Sequence, residues 1–308
     1  MSVSPSFFRS YVKALTPDSL LKIYREIRTV FSRIRYKLED DEREESLLCP
    51  NGQKILFFAS KARGGERYQQ LKTDIDYLSN PARIEYRRTK EPETVAWLNQ
   101  MPEGKVLWDI GANVGTYSHY AAQERGMRVL AFEPHYANFF ALNENIRLNQ
   151  VSSLIQAYCT AFDSKEELTA FYAAHTSIGG SGSNLGTPMN DQDVSFDAEF
   201  VQGGLGFSVD KFVEILNPPL PTAMKIDVDG LELEILRGSR ILLLNPDFRF
   251  LSMEINDARK RKRDEAMRIL KDSGFSVVEK FLTSKSRYED PELGQSSTQN
   301  YNYHFRKK

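Results

Sequence analysis

Cysteine is scarce. The 308 residues hold two, Cys49 and Cys159, far apart in the chain. Such a pair excludes a disulfide framework and a zinc cluster, and it points to a reducing cytoplasm as the compartment. Excess charge of either sign is missing as well, with 41 Lys and Arg against 42 Asp and Glu. No global field therefore calls for nucleic acid as a partner. Apolar runs long enough to span a bilayer are absent, as is the continuous apolar core of a secretory signal. Internal repeats and low-complexity tracts are absent too. The length suits one large or two modest domains and is ample for a substantial core.

What is present is concentrated in residues 106 to 134, VLWDIGANVGTYSHYAAQERGMRVLAFEP. Val106 to Ile110 is a short apolar run suited to a buried parallel strand, and Gly111 to Gly115 breaks it where a helix must begin. Thr116 to Arg125 keeps helical character until Gly126 offers a C-terminal cap, and Arg128 to Phe132 makes the next strand. Glu133 ends that strand 22 positions after Gly111, about the spacing at which an acid reaches ribose hydroxyls. The glycine spacing lacks the middle glycine of the dinucleotide fingerprint, so the turn is not shaped for a pyrophosphate. Asp109 would repel phosphate but accept hydrogen bonds from an ammonium group, and Asn113 adds a polar side chain. Adenosine, an amine and a carboxylate together describe S-adenosylmethionine.

Upstream, Thr16-Pro17-Asp18 opens an amphipathic helix over 16–38. Residues 1 to 38 carry eight Lys and Arg against Asp18 and Glu26. That helix suits packing on the main domain, a homo-oligomer contact or a peripheral membrane surface. Residues 39 to 45 read as a solvated linker or helix end closing a 1–45 extension, and 46–90 as a small substructure with a strand over 53–59 and a helix or turn over 74–78. The catalytic domain spans 91–308, with a helix over 94–99 leading into the first core strand.

Beyond Glu133, residues 138–149 suit a helix and 154–162 a third strand, whose end at Tyr158 to Ala161 would lie beside the adenine. Cys159 has no neighbouring base and reads as a small buried apolar group. An insertion over 163–210 is rich in glycine and serine; strands at 165–172 and 195–201 would flank a loop serving as lid or acceptor surface. His175 lies inside it as a candidate base. Residues 222–228 form a strand ending in Asp227-x-Asp229, with Glu232 and Glu234 favouring the dipole of the helix behind it. A further strand over 248–255 ends at Glu254 and Asn256. These four oxygen-bearing side chains could hold magnesium, or hydrogen-bond substrate and amine; no metal ligand set is assigned. Arg259 to Arg263 opens the next helix as a basic face that an anionic acceptor could use. Residues 284–300 read as a loop and 301–305 as a last strand.

WDIGANVGTYSHYAA, VLAFEP, the helix containing Asn138 to Asn149 and KIDVDGLELEILRGS, in that order, resemble the successive signatures of FkbM-type S-adenosylmethionine-dependent methyltransferases, and TKEPETVAWL at 89–98 resembles the approach to the first of them. The resemblance runs over roughly residues 91 to 282, and Asp229 stands where the family usually has the glutamate of DVEG. It implies an α/β class I methyltransferase fold, a Rossmann-like, mostly parallel doubly wound sheet of seven strands whose last strand is antiparallel. It implies O-methylation of a hydroxyl on a sugar, glycan or other natural product. By motif, Asp109, Gly111, Asn113, Gly115 and Glu133 would bind the cofactor, a set extended to Ala112, Thr116, Tyr117, Pro134, Ala161 and Asp227. Asp227 or Asp229, then His175, are the candidates for taking the hydroxyl proton. A nicotinamide-dependent oxidoreductase and an inactive scaffold or membrane-docking protein remain as alternatives.

Overall fold

The computed structural model describes residues 42–48, 54–60, 91–190, 193–283 and 300–307, the first two stretches by backbone alone. The chain divides into the units Met1–Arg43 and Glu44–Lys308. The helix expected over 16–38, the helix or turn over 74–78 and most of the loop at 284–300 lie outside the described residues. Strands β1 (Glu42–Leu48) and β2 (Lys54–Ser60) pair with each other. The expected linker at 39–45 therefore runs into a strand.

The core of the second unit is a seven-stranded sheet. Its strands are β3 (Val106–Ile110), β4 (Arg128–Phe132), β5 (Ile155–Tyr158), β10 (Ala223–Ile226), β11 (Phe250–Asn256), β12 (Phe275–Leu282) and β13 (Asn300–Lys307). They lie in the order β12-β13-β11-β10-β3-β4-β5. β11, β10, β3, β4 and β5 pair in parallel, and β13 runs antiparallel to both neighbours. This is the class I methyltransferase sheet that the sequence motifs imply.

Alternation along the strands sends side chains to two faces, and each face finds its own helices. Trp108, Ile110, Leu130, Phe132, Met224 and Ile226 point to one side. There they meet apolar residues of α4 (Val209–Leu216), α5 (Glu232–Arg237) and α6 (Lys260–Asp272). Leu107, Val129, Ala131 and Ala223 point to the other side, against α1 (Pro92–Asn99), α2 (Thr116–Arg125) and α3 (Tyr136–Leu148). The near-continuous apolar strands are those of a sheet covered on both faces. All the parallel strands end at one edge, which is where ligands bind in open α/β sheets.

The third strand expected over 154–162 is two strands. β5 ends at Tyr158, and after Cys159 and Thr160 the chain resumes as β6 (Ala161–Phe162) in a separate four-stranded sheet; Cys159, expected to be buried, is exposed in this break between the two sheets. That sheet, ordered β6-β9-β7-β8, also contains β7 (Glu167–Ala173), β8 (Asn184–Leu185) and β9 (Phe200–Phe207). The QGGLG segment at 202–206, whose glycine density alone reads as loop, lies within β9. Its glycines answer a packing demand: a Cβ on Gly204 or Gly206 would come within 2.6 or 2.8 Å of the Leu185 side chain. The insertion is thus a second, smaller sheet rather than an open loop, with residues 174–183 joining β7 to β8.

Candidate functional site

A cavity of about 410 Å³ opens where β3, β4, β10 and β11 end. Its floor is the turn after β3. Gly111 has φ +80°, and a Cβ there would stand 2.0 Å from the Asp227 backbone oxygen, so only glycine lets the turn pass the end of β10. Gly111, Ala112, Asn113, Thr116 and Tyr117 line this side, with Asn113 held in a left-handed conformation at φ 52°.

Glu133 stands at the end of β4, 5% exposed. Its Oε2 accepts from Asn113 N at 2.8 Å and its Oε1 from His135 N at 2.9 Å. Burial pushes the carboxyl up to about 7, against these hydrogen bonds and one from Asn138, with Asp229 adding to the rise. His135 is held below the ordinary histidine value by burial and is neutral. Its Nδ1 accepts from Asn138 N at 3.3 Å, which assigns the proton to Nε2, donating to His175 O at 2.8 Å.

The opposite wall carries Glu91, Lys225, Asp227, Asp229 and Glu254. Lys225 Nζ lies 2.5 Å from Asp227 Oδ2, with the side chain 5% exposed. Burial opposes its charge, but Asp227, Asp109 and Glu91 outweigh burial and raise its pKa, so the ammonium is kept. Nζ also sits 5.0 Å from the centre of the Tyr117 ring, whose hydroxyl donates to Glu91 at 2.8 Å. Five carboxyl side chains and one lysine thus line a single cavity, an environment that favours a cation and disfavours phosphate.

A strap over residues 177–183 crosses the rim. Asn113 Nδ2 and Asn138 Nδ2 each donate to Gly180 O at 3.0 Å, and Asn138 Oδ1 accepts from Gly179 N at 2.7 Å. Gly182 N donates to Asp229 Oδ2. The strap is fastened by side chains of the Gly111–Gly115 turn and of α3 at one end and of the acid rim at the other.

Of the residues singled out from sequence, Gly111, Ala112, Asn113, Thr116, Tyr117, Glu133, Pro134, Ala161, Asp227 and Asp229 all line the cavity. Asp109 lies beneath the turn instead. It is 1% exposed, its Oδ2 accepts from Ser118 at 2.6 Å and its Oδ1 has no partner. Burial raises its pKa over the opposing effects of Lys225 and Ser118. Gly115 is the N-cap of α2 at φ 88°, behind the wall. His175 turns outward, its side chain 61% exposed and 3.8 Å from Glu199. Of the four oxygen-bearing side chains considered together, Asp227, Asp229 and Glu254 share the cavity, while Asn256 lines a small cleft behind Glu254. Among the described residues no group of three or more His, Cys, Asp and Glu is arranged to hold a metal ion. Sequence reasoning missed Glu91, His135, Asn138 and Lys225. Only Lys225 carried a signal, as a lone charge inside an apolar strand.

Among known proteins, Hexuronic acid methyltransferase AglP of Haloferax volcanii is 26% identical over 197 residues, which cover 64% of this chain and 73% of that protein. Among solved structures, precorrin-6y C5,15-methyltransferase of Geobacter metallireducens aligns with a TM-score of 0.40 at 14% identity, over 71% of this chain and 87% of that one. TYW2 of P. horikoshii in complex with MeSAdo aligns with a TM-score of 0.44 at 13% identity, over 87% of this chain and 71% of that one. The methyltransferase FkbM domain profile matches residues 109–277. The match takes in the glycine turn, Glu133 and the Asp227–Asp229 rim, more than half of the chain, and the chain belongs to the FkbM methyltransferase family.

Proposed function

We propose that the chain is an S-adenosylmethionine-dependent O-methyltransferase acting on a sugar, of the sugar-acid class named for its Haloferax volcanii relative. The observation that carries the reading is one acid-lined cavity joining the Gly111 turn, Glu133 and the Asp227–Asp229 rim. Its volume, about 410 Å³, suits a nucleoside-sized ligand. The lining fits S-adenosylmethionine: carboxylates suit its sulfonium and ammonium, and the turn offers no phosphate cradle.

Glu133 keeps acceptor capacity on the cavity wall beside the hydrogen bonds it takes from Asn113, His135 and Asn138, which supports its role toward ribose hydroxyls. When bound, S-adenosylmethionine supplies an electrophilic methyl group on sulfur. The protein's share is alignment of the acceptor oxygen and removal of its proton. The Lys225 ion pair supports an orienting role for Asp227, and Asp229, on the same rim of the cavity, is the residue we assign as the proton acceptor. The outward position of His175 argues against the same role there.

Calorimetry on the full chain tests the reading. S-adenosylmethionine and S-adenosylhomocysteine are expected to bind and NAD to leave no signal; binding of NAD with neither sulfur ligand makes the chain an oxidoreductase instead. Asp229→Asn is expected to slow labelled methyl transfer to uronic-acid glycans about 100-fold while leaving S-adenosylhomocysteine affinity within about threefold.

A further inference from the structure

Next to the acid rim lies a cluster whose chemistry methyl transfer does not use. Arg259 caps α6, and Lys260, Arg261, Lys262 and Arg263 follow, with no acid in the first turn and no side-chain cap. A helix N-terminus carries about half a positive elementary charge, so these cations stand against the dipole. Departures from a local rule of this kind concentrate where a ligand compensates for them. Here the compensation comes from a distant segment of the insertion. Asp193 places one oxygen 2.6 Å from Arg259 Nη2 and the other 3.3 Å from Lys262 Nζ. Burial pushes the Asp193 carboxyl up, but hydrogen bonds from Arg259 and Lys262 outweigh it and hold the group low.

The position is as telling as the charge. Arg259 and Lys262 line a cleft of about 40 Å³, and Glu254 lines both this cleft and the main cavity. Among the described residues, Glu254 is the one lining residue that the cleft and the cavity share, so the cations sit beside the acid rim.

We propose that Arg259 and Lys262 form an acceptor subsite for a sugar carboxylate, and that Asp193 is the internal carboxylate that fills it until the acceptor enters. The proposal rests on the reading of the chain as a methyltransferase of sugar acids. Charge leaves an anionic acceptor few other anchors. The cavity wall presents Glu91, Glu133, Asp227, Asp229 and Glu254, and Lys225, the one lysine among them, already donates a hydrogen bond to Asp227. A carboxylate is repelled by that wall and drawn to the uncapped end of α6. Arg259, with its side chain 15% exposed, offers the planar fork suited to two carboxylate oxygens, and Lys262 adds a point charge.

The test uses the full chain saturated with S-adenosylhomocysteine and titrated with methyl glucuronide or its neutral counterpart, methyl glucoside. Arg259→Met with Lys262→Met is expected to weaken the glucuronide about tenfold and to leave the glucoside within about twofold. Asp193→Asn removes the internal competitor and is expected to tighten the glucuronide about threefold at low salt. It also keeps the proposal testable where the double variant fails to fold. Equal losses for the two sugars, an unchanged glucuronide affinity in both variants, or no glucuronide binding by the saturated wild type overturns the subsite. A wild type that binds no S-adenosylhomocysteine overturns the methyltransferase reading instead.

Discussion

At the scale of single residues, Glu133 shows how one buried side chain couples the site to pH. Its carboxyl goes from an ordinary 4.5 to about 7 because burial outweighs the hydrogen bonds it accepts. Below the lower value both folded and unfolded chains hold the proton. Between the two values the unfolded chain has released it and the folded chain has not, so unfolding releases a proton and rising pH destabilises the fold. A shift from 4.5 to about 7 corresponds to roughly 3 kcal/mol, lost across that window and fully lost above it. Glu133→Gln removes the titration. Urea unfolding at a series of pH values is expected to show the ligand-free wild type losing this much relative to the variant between pH 4.5 and 7; parallel curves exclude Glu133 as the source. Lys225 is the contrasting case. It is as deeply buried, yet three surrounding carboxylates keep it charged, so it stays a fixed countercharge to Asp227 rather than a group that titrates.

At the scale of elements, the sequence was most legible where geometry is local. The strand, turn, helix and strand from Val106 to Phe132 follow from an apolar run, two glycines and a third glycine cap, and all appear with those bounds. Elements decided by distant partners were not legible. Gly204 and Gly206 read as loop residues in isolation, but they sit in β9 because Leu185, from another strand, needs the room. The break after Tyr158 has the same cause: β6 leaves the main sheet to pair with β9. The site divides in the same way. Motif residues on the turn and strand ends could be found from spacing, whereas Glu91 and Asn138, inside segments that resemble the family, and His135, just after VLAFEP, have no spacing that marks them as cavity residues. The strap depends on these unforeseen partners. Asn138 holds it through two hydrogen bonds, to Gly179 N and Gly180 O, while Asn113 shares the Gly180 contact. Losing one buried side chain that satisfies two backbone groups costs about 1–3 kcal/mol locally. Asn138→Ala is therefore expected to speed proteolytic cleavage within residues 177–183 about tenfold, a change of about 1.4 kcal/mol in local opening. Cleavage at the wild-type rate would show that the strap is fastened elsewhere.

At the scale of the whole molecule, the segment that matches the family is shorter than the sheet it belongs to. The family match ends at residue 277, inside β12, yet β13 lies between β11 and β12 in the sheet. Residues 300–307 therefore complete both neighbours. β13 pairs with β11 from Phe250↔Arg306 to Asn256↔Asn300 and with β12 from Phe275↔Lys307 to Leu282↔Tyr301. Tyr303 and Phe305 are 6% and 2% exposed, and Lys307 Nζ donates to the carbonyls of Leu243 and Asn245. Burying two such aromatic side chains contributes roughly 3–6 kcal/mol, and removing the strand also leaves two rows of ladder groups without partners. Together these approach the roughly 5–15 kcal/mol that stabilises a typical domain. The effect extends to the site, because Asn300 Nδ2 donates to Glu254 Oε1 at 2.7 Å, on the wall between the cavity and the basic cleft. A chain ending at residue 299 is thus expected to elute as aggregate and to show no cooperative thermal transition by circular dichroism. A cooperative melt within a few degrees of the full chain would mean that β11 and β12 close without β13, and that the matched region folds by itself.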